Sequence, residues 1–196
     1  MEVEARITLA IALLNIGKIN EAIIQFQKVL LLDPQNAGAI EGIKHALTKK
    51  RKIDGAITQV NEALNIDPLN YSLHCRIAEL YNSEGNKKEA IAHYEKALSI
   101  NPDLVQVMNT LAILYAGNNE FDNAISSLKK MLRLKPNDPD VYYNIACIYS
   151  KQGRKDEAII SLKQAINCGF NNWNILKTEP DLENIRATDY YRKLIH

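Results

Sequence analysis

Apolar and polar positions recur along this chain with two periods at once. Over short stretches, apolar side chains fall at spacings of three and four, which puts them on one face of a helix. Over longer distances the same pattern returns every 34 residues. Ala22, Ala56, Ala90, Ala124 and Ala158 keep that step, as do Pro34, Pro68, Pro102 and Pro136. One unit is written about five times. Starting each unit 31 residues before its proline gives residues 3–36, 37–70, 71–104, 105–138 and 139–172.

Within these units the large apolar residues hold fixed places. Position 7 reads Leu9, Ile43, Ile77, Leu111, Ile145; position 11 reads Leu13, Leu47, Tyr81, Tyr115, Tyr149; position 24 reads Phe26, Val60, Tyr94, Leu128, Leu162. Small residues stand between them, with Ala10, Lys44, Ala78, Ala112 and Ala146 at position 8. A side chain larger than alanine at a close crossing would hold two helix axes apart. Each unit therefore predicts two helices, over positions 1–14 and 18–30. Gly17, Gly85 and Gly153 fall in the turn between them, where a positive φ is cheap for glycine. Asn20, Asp54, Asp122 and Asp156 stand where they could cap the second helix. Asn36, Asn70 and Asp138 stand where the next first helix needs its cap, and Pro139 suits a first helical position.

This arrangement resembles the tetratricopeptide repeat family over residues 3–172. The third unit carries the family pattern best, in Ile77, Ala78, Tyr81, Ala90, Tyr94 and Pro102. The second unit departs most, with Lys44 at the small position and Gly42 and Gly55 inside helices. It is expected to be the loosest, since each such glycine costs about 1 kcal/mol against alanine. The resemblance implies an all-α, right-handed α-solenoid of tandem helix-turn-helix units. Residues 173–196 break the period and read as a C-terminal helical cap, similar to closing segments of bacterial tetratricopeptide proteins. Its buried face would come from Leu182, Ile185, Tyr190, Tyr191, Leu194 and Ile195.

Charge changes the picture little. Lys and Arg total 24 and Asp and Glu 23, which argues against broad binding to nucleic acid. The one basic run, Lys49 to Lys52, reads as a solvated turn rather than a nucleic-acid patch. Three cysteines without tight spacing point to a reducing, cytoplasmic setting and no disulfide framework. No apolar run is long enough to span a membrane. The segment Ile7–Gly17 reads as the first repeat helix rather than a signal-peptide core, because Glu2 and Glu4 precede it. Apolar residues surround nearly the whole of that helix. Either the chain is cut from a longer protein or Ile7, Ile11 and Leu14 make a self-association surface, giving a homodimer through the N-terminal helix.

Chemistry is hard to find. His45, His74, His93 and His196 sit in no metal-binding frame, and His93 is expected to be solvated. No glycine-rich nucleotide loop is present. The chain is thus expected to be no enzyme, with no metal and no cofactor.

In the family that the sequence resembles, the first helices line the concave face. Carried onto this sequence, the resemblance implies a partner-binding groove at Glu41, His45, Arg76, Glu79, Asn82, Gln106, Asn109, Tyr143, Asn144 and Lys151, with Cys147 beside them. Amide side chains there could meet a peptide backbone and Arg76 a carboxylate. Neither the family's carboxylate clamp nor its asparagine ladder fits these positions. The expected function is a protein-protein interaction scaffold for a peptide or protein partner. The alternative is the accessory region of a larger enzyme such as a membrane-bound glycosyltransferase.

Overall fold

The computed structural model describes residues 2–195, the last of them in its backbone only. His196 and the side chain of Ile195, both singled out above, lie outside the described residues. Every regular element among the described residues is helical, in tandem along the chain, making an all-α solenoid. The chain divides into two compact units, Met1–Pro102 and Asp103–His196.

The first unit holds α1 (Glu2–Asn15), α2 (Ile19–Leu32), α3 (Ala37–Ile66), α4 (Tyr71–Ser83) and α5 (Lys87–Ile100). α1 with α2 and α4 with α5 form helical hairpins. Ala10, Leu13, Ala22, Phe26, Val29, Ala39 and Ala46 make a common core with Leu80 of α4. Phe26 is almost wholly buried, a gain of about 1.5–3 kcal/mol over leaving it in water. Asn36 and Asn70 cap α3 and α4 as their places predict, accepting from the Ala39 and Leu73 amides at 3.0 and 3.2 Å.

The second repeat unit differs from the prediction. Two helices were expected over residues 37–70, and the structure has one continuous helix of 30 residues. The cause lies at one position. The interhelical turns bend through a left-handed residue, and these are Gly17 (φ 82°), Gly85 (φ 81°), Asn119 (φ 62°) and Gly153 (φ 72°). Each holds position 15 of its unit, and the second unit has Arg51 there. A left-handed conformation costs a residue with a Cβ roughly 1–2 kcal/mol, and Lys and Arg are good helix formers. The chain therefore continues as helix, and Lys49–Lys52 lie within it rather than at a turn. Lys49 Nζ donates to the Leu14 carbonyl at 3.2 Å, and Lys50 pairs with Glu84 at 3.2 Å.

The second unit holds α6 (Val105–Gly117), α7 (Phe121–Leu134), α8 (Pro139–Lys151) and α9 (Lys155–Asn167). Asp138 caps α8, with Pro139 opening the helix. The expected Asx caps of the second helices are not caps. The N-cap positions of α2, α7 and α9 fall two residues earlier, at Lys18, Glu120 and Arg154, and none of these makes a side-chain cap. Asn20, Asp122 and Asp156 instead lie in the first turn, where the two aspartates suit the positive end of the helix dipole.

After α9 come α10 (Trp173–Thr178), a 3-10 turn (Pro180–Leu182), α11 (Glu183–Arg186) and α12 (Asp189–Ile195). Leu176, Leu182, Ile185 and Tyr191 of this stretch are fully buried, whereas Tyr190 and Leu194 are half-buried. The Tyr191 hydroxyl donates to the Leu176 carbonyl, and Asn184 Nδ2 donates to the Ser150 carbonyl at 2.7 Å. Trp173 and Ile175 remain on the surface.

Candidate partner-binding surface

α1 and the first half of α3 lie side by side, and a cleft of about 610 Å³ opens between them. From α1 come Ile7, Ile11 and Leu14, at helical spacings of four and three, so one face of α1 forms the cleft's apolar wall. Phe26 supplies the floor, and Glu41 and His45 of α3 stand exposed at the rim. Glu41 lies 3.7 Å from Lys44 Nζ in an exposed pair. Gly38 and Gly42 line the cleft on the α3 side.

The sequence placed Ile7, Ile11 and Leu14 in a self-association patch and Glu41 and His45 in a groove. The structure brings all five to one cleft. Leu14 is buried within its own chain, Ile7 is half-buried, and Ile11 is half exposed. Leu14 therefore cannot be part of a protruding sticky face, because Leu13, Leu14 and Ala10 turn into the core.

Arg76, Glu79 and Asn82 lie on α4 and do not line that cleft. All three are exposed, and Arg76 Nη1 donates to Glu79 Oε2 at 3.3 Å. Nearby, His93 is not solvated as expected. Its Nδ1 faces His74 Nδ1 at 3.1 Å, its ring stacks on Tyr81 at 5.7 Å, and His74 Nε2 meets the Pro68 carbonyl at 3.1 Å. Burial first, and the neighbouring His74 second, push the His93 pKa below its ordinary value.

In the second unit, α6 and α8 enclose a smaller cleft of about 340 Å³. It gathers Asn109, Asn144 and Lys151 with Cys147, and Gln106 is exposed on α6 outside it. The chain's own C-terminal stretch meets two of the expected groove residues. Lys151 Nζ pairs with Asp181 at 3.1 Å, and the Tyr143 hydroxyl donates to Glu179 at 3.3 Å. Tyr143 is buried, its ring stacked on Phe170 at 4.4 Å. Burial raises the Tyr143 pKa, with Cys147 and Glu179 adding to it, and pushes the Cys147 thiol up to about 12. Asn109 and Asn144, both half-buried, line the same cleft.

Phe26, Gly42 and Asp181 shape these clefts without having been anticipated. Phe26 was read only as a packing residue and Gly42 only as a helix weakener. Asp181 comes from a segment outside the 34-residue register, so no positional comparison could find it. Among the described residues no three His, Cys, Asp or Glu side chains are grouped to hold a metal ion. None of the described helices is long and apolar enough to cross a membrane.

Family models of the tetratricopeptide repeat match residues 3–36, 71–104 and 140–167, and a related TPR repeat model matches residues 114–153. Together they cover more than half of the chain. No curated protein matches it significantly. Among solved structures, a MamA protein is 21% identical, with 91% of this chain and 96% of that chain covered and a TM-score of 0.55. YrrB, described as a TPR protein with an unusual peptide-binding site, is 21% identical, with 84% of each chain covered and a TM-score of 0.52. At these identities the likeness is one of fold.

Proposed function

The chain belongs to the tetratricopeptide repeat family, and from that premise we propose that it is a non-catalytic protein-binding scaffold. Its partner lays an apolar segment into the cleft between α1 and α3. The observation that carries this reading is the half-exposed Ile11, set between Ile7 and Leu14 over the Phe26 floor. An open cleft with an apolar wall and a polar rim suits a short amphipathic peptide. Burying one leucine-sized side chain there would contribute about 1.5–3 kcal/mol. His45 and Glu41 at the rim would fix orientation through hydrogen bonds. In the second unit, Asn109 and Asn144 offer further amide donors and acceptors to a partner backbone. The peptide-binding site in YrrB's description is in keeping with this reading.

A random peptide library displayed against the immobilised chain tests it, with Ile11→Asp as the parallel target. Ile11 is half exposed, so the substitution leaves the fold intact while placing a charge in the cleft. Peptides with apolar side chains at helical spacing are expected to be enriched, and to bind Ile11→Asp about tenfold or more weakly. Equal binding to both chains would remove the cleft from consideration. Concentration-dependent self-association lost in Ile11→Asp would mean that the occupant is a second N-terminal helix.

A further inference from the structure

The polar face of α7 is electrostatically unbalanced. Residues 129–135 hold Lys129, Lys130, Arg133 and Lys135 and no acid. Several exposed cations elsewhere pair with a carboxylate three residues away on their own helix, as in Lys18–Glu21, Arg76–Glu79 and Arg186–Glu183. On α7 that spacing brings like charges together, because Lys129 and Lys130 stand four and three residues before Arg133. All three are exposed. Among the described residues, none of the three is in an ion pair. The negative end of the helix dipole favours Arg133 in the last turn. Lys129 and Lys130 precede that turn, where the dipole's effect has faded. Tyr149 of α8 and Arg154, the residue before α9, complete a pocket of about 400 Å³ with this stripe. Arg154 is held in place there. It donates to Glu157 at 2.9 and 2.6 Å, and its guanidinium lies 4.5 Å from the centre of the Tyr149 ring. Glu157 thus neutralises Arg154, and the uncompensated charge of the pocket is that of α7.

We infer that this pocket docks a short acidic segment of a partner protein, with its carboxylates on Lys129, Lys130 and Arg133. An acidic segment relieves the repulsion among the three cations and supplies the partners that α7 lacks. Ser126, exposed on the same stripe, adds a hydroxyl donor. From Ser126 to Arg133 the helix rises about 10 Å, the reach of about three extended residues. The surrounding carboxylates limit the ligand further. Asp122 ends the stripe on its N-terminal side, and Glu157 occupies Arg154. A long polyanion or a flat anionic bilayer would run into these acids, whereas a short segment fits between them. Attraction of this kind is screened by salt and acts strongly on the rate of encounter. The pocket belongs to the second compact unit and takes a ligand of other chemistry than the apolar cleft of the first.

The probe is a fluorescently labelled peptide with a central run of Glu, titrated with the full chain and followed by anisotropy. The same peptide with Gln in place of Glu is the control ligand. Lys129→Glu with Lys130→Glu is the test variant. Both replacements set a carboxylate at favourable spacing from Arg133, so the helix keeps its stability, which circular dichroism checks. Arg192→Glu with Lys193→Glu, on exposed positions of α12, gives the chain the same change of charge elsewhere. The Glu peptide is expected to bind the wild type, more weakly as salt is raised. Binding should fall about tenfold or more in the test variant. The α12 variant and Ile11→Asp should bind as the wild type does, which separates this pocket from the apolar cleft. No binding of the Glu peptide, equal binding of the Gln peptide, or an equal loss in the α12 variant would each overturn the assignment. Preference for phosphatidylserine vesicles or for a single-stranded RNA oligonucleotide over the peptide would overturn it too.

Discussion

The ring of Phe26 lies directly against the backbone of Gly42, so that a Cβ on that glycine would stand 2.4 Å from the ring's Cζ. Three ring atoms lie within 2.7 Å of that point, and Phe26 is 1% exposed with nowhere to turn. Gly42 is thus a packing requirement where α2 meets α3. Gly42→Ala gains up to about 1 kcal/mol of helix propensity and loses about 1–3 kcal/mol to overpacking. The expected net result is destabilisation and a lower urea midpoint. A midpoint equal to or above that of the wild type would contradict this contact.

Gly55, in the same helix, has no neighbour within 4 Å of its Cβ direction. Gly55→Ala is expected to stabilise the chain by about 0.5–1 kcal/mol, through backbone entropy alone. Thermal melts of both variants beside the wild type read the two signs directly.

The two histidines predict a pH response. A carbonyl only accepts, so His74 Nε2 carries a proton toward Pro68, and in neutral His74 Nδ1 is then an acceptor for His93 Nδ1–H. Protonating both rings destroys that contact. The His93 pKa is lowered in the folded chain, so the unfolded chain binds more protons between that lowered value and the ordinary one of about 6.5. Its contribution is complete above the ordinary value, is lost as pH falls through it, and stops changing below the folded value. The urea midpoint should therefore drop between about pH 7.5 and about pH 5.5, above most carboxylate titration. His93→Gln should drop less. Parallel curves for both proteins would exclude the pair as the cause.

Cys147 should resist thiol reagents. It is buried between α8 and the C-terminal stretch, and its pKa of about 12 leaves almost no thiolate at neutral pH. Labelling at about pH 8 is expected to modify Cys168, which is partly exposed, long before Cys147. Equal rates would mean that the Glu179–Asp181 segment does not hold its place over α8.

The sequence made most of the architecture readable, because a repeat compares each position with four others. The alanines at 22, 90, 124 and 158 occupy equivalent buried crossings, and Asn36, Asn70 and Asp138 cap the helices that their places implied. The continuous α3 was legible in principle from one residue, since Arg51 stands where Gly17, Gly85, Asn119 and Gly153 bend the chain. Reading that column requires asking which φ the turn needs rather than which residues are apolar. The site was less legible. Tyr143 and Lys151, which the family pattern assigns to the groove, are met by a segment outside the repeat through Glu179 and Asp181. Ile7, Ile11 and Leu14 looked like surplus grease on an end helix, because their neighbours Glu41 and His45 come from residues over 25 positions away.

Hydrogen exchange of the full chain with and without a peptide selected from the library is the most direct test of partner capture by the first cleft. Slower exchange is expected in α1 around residues 7–15 and in α3 around residues 38–48, with α7 and α9 unchanged. Protection confined to other helices, or none despite measurable binding, would contradict the account.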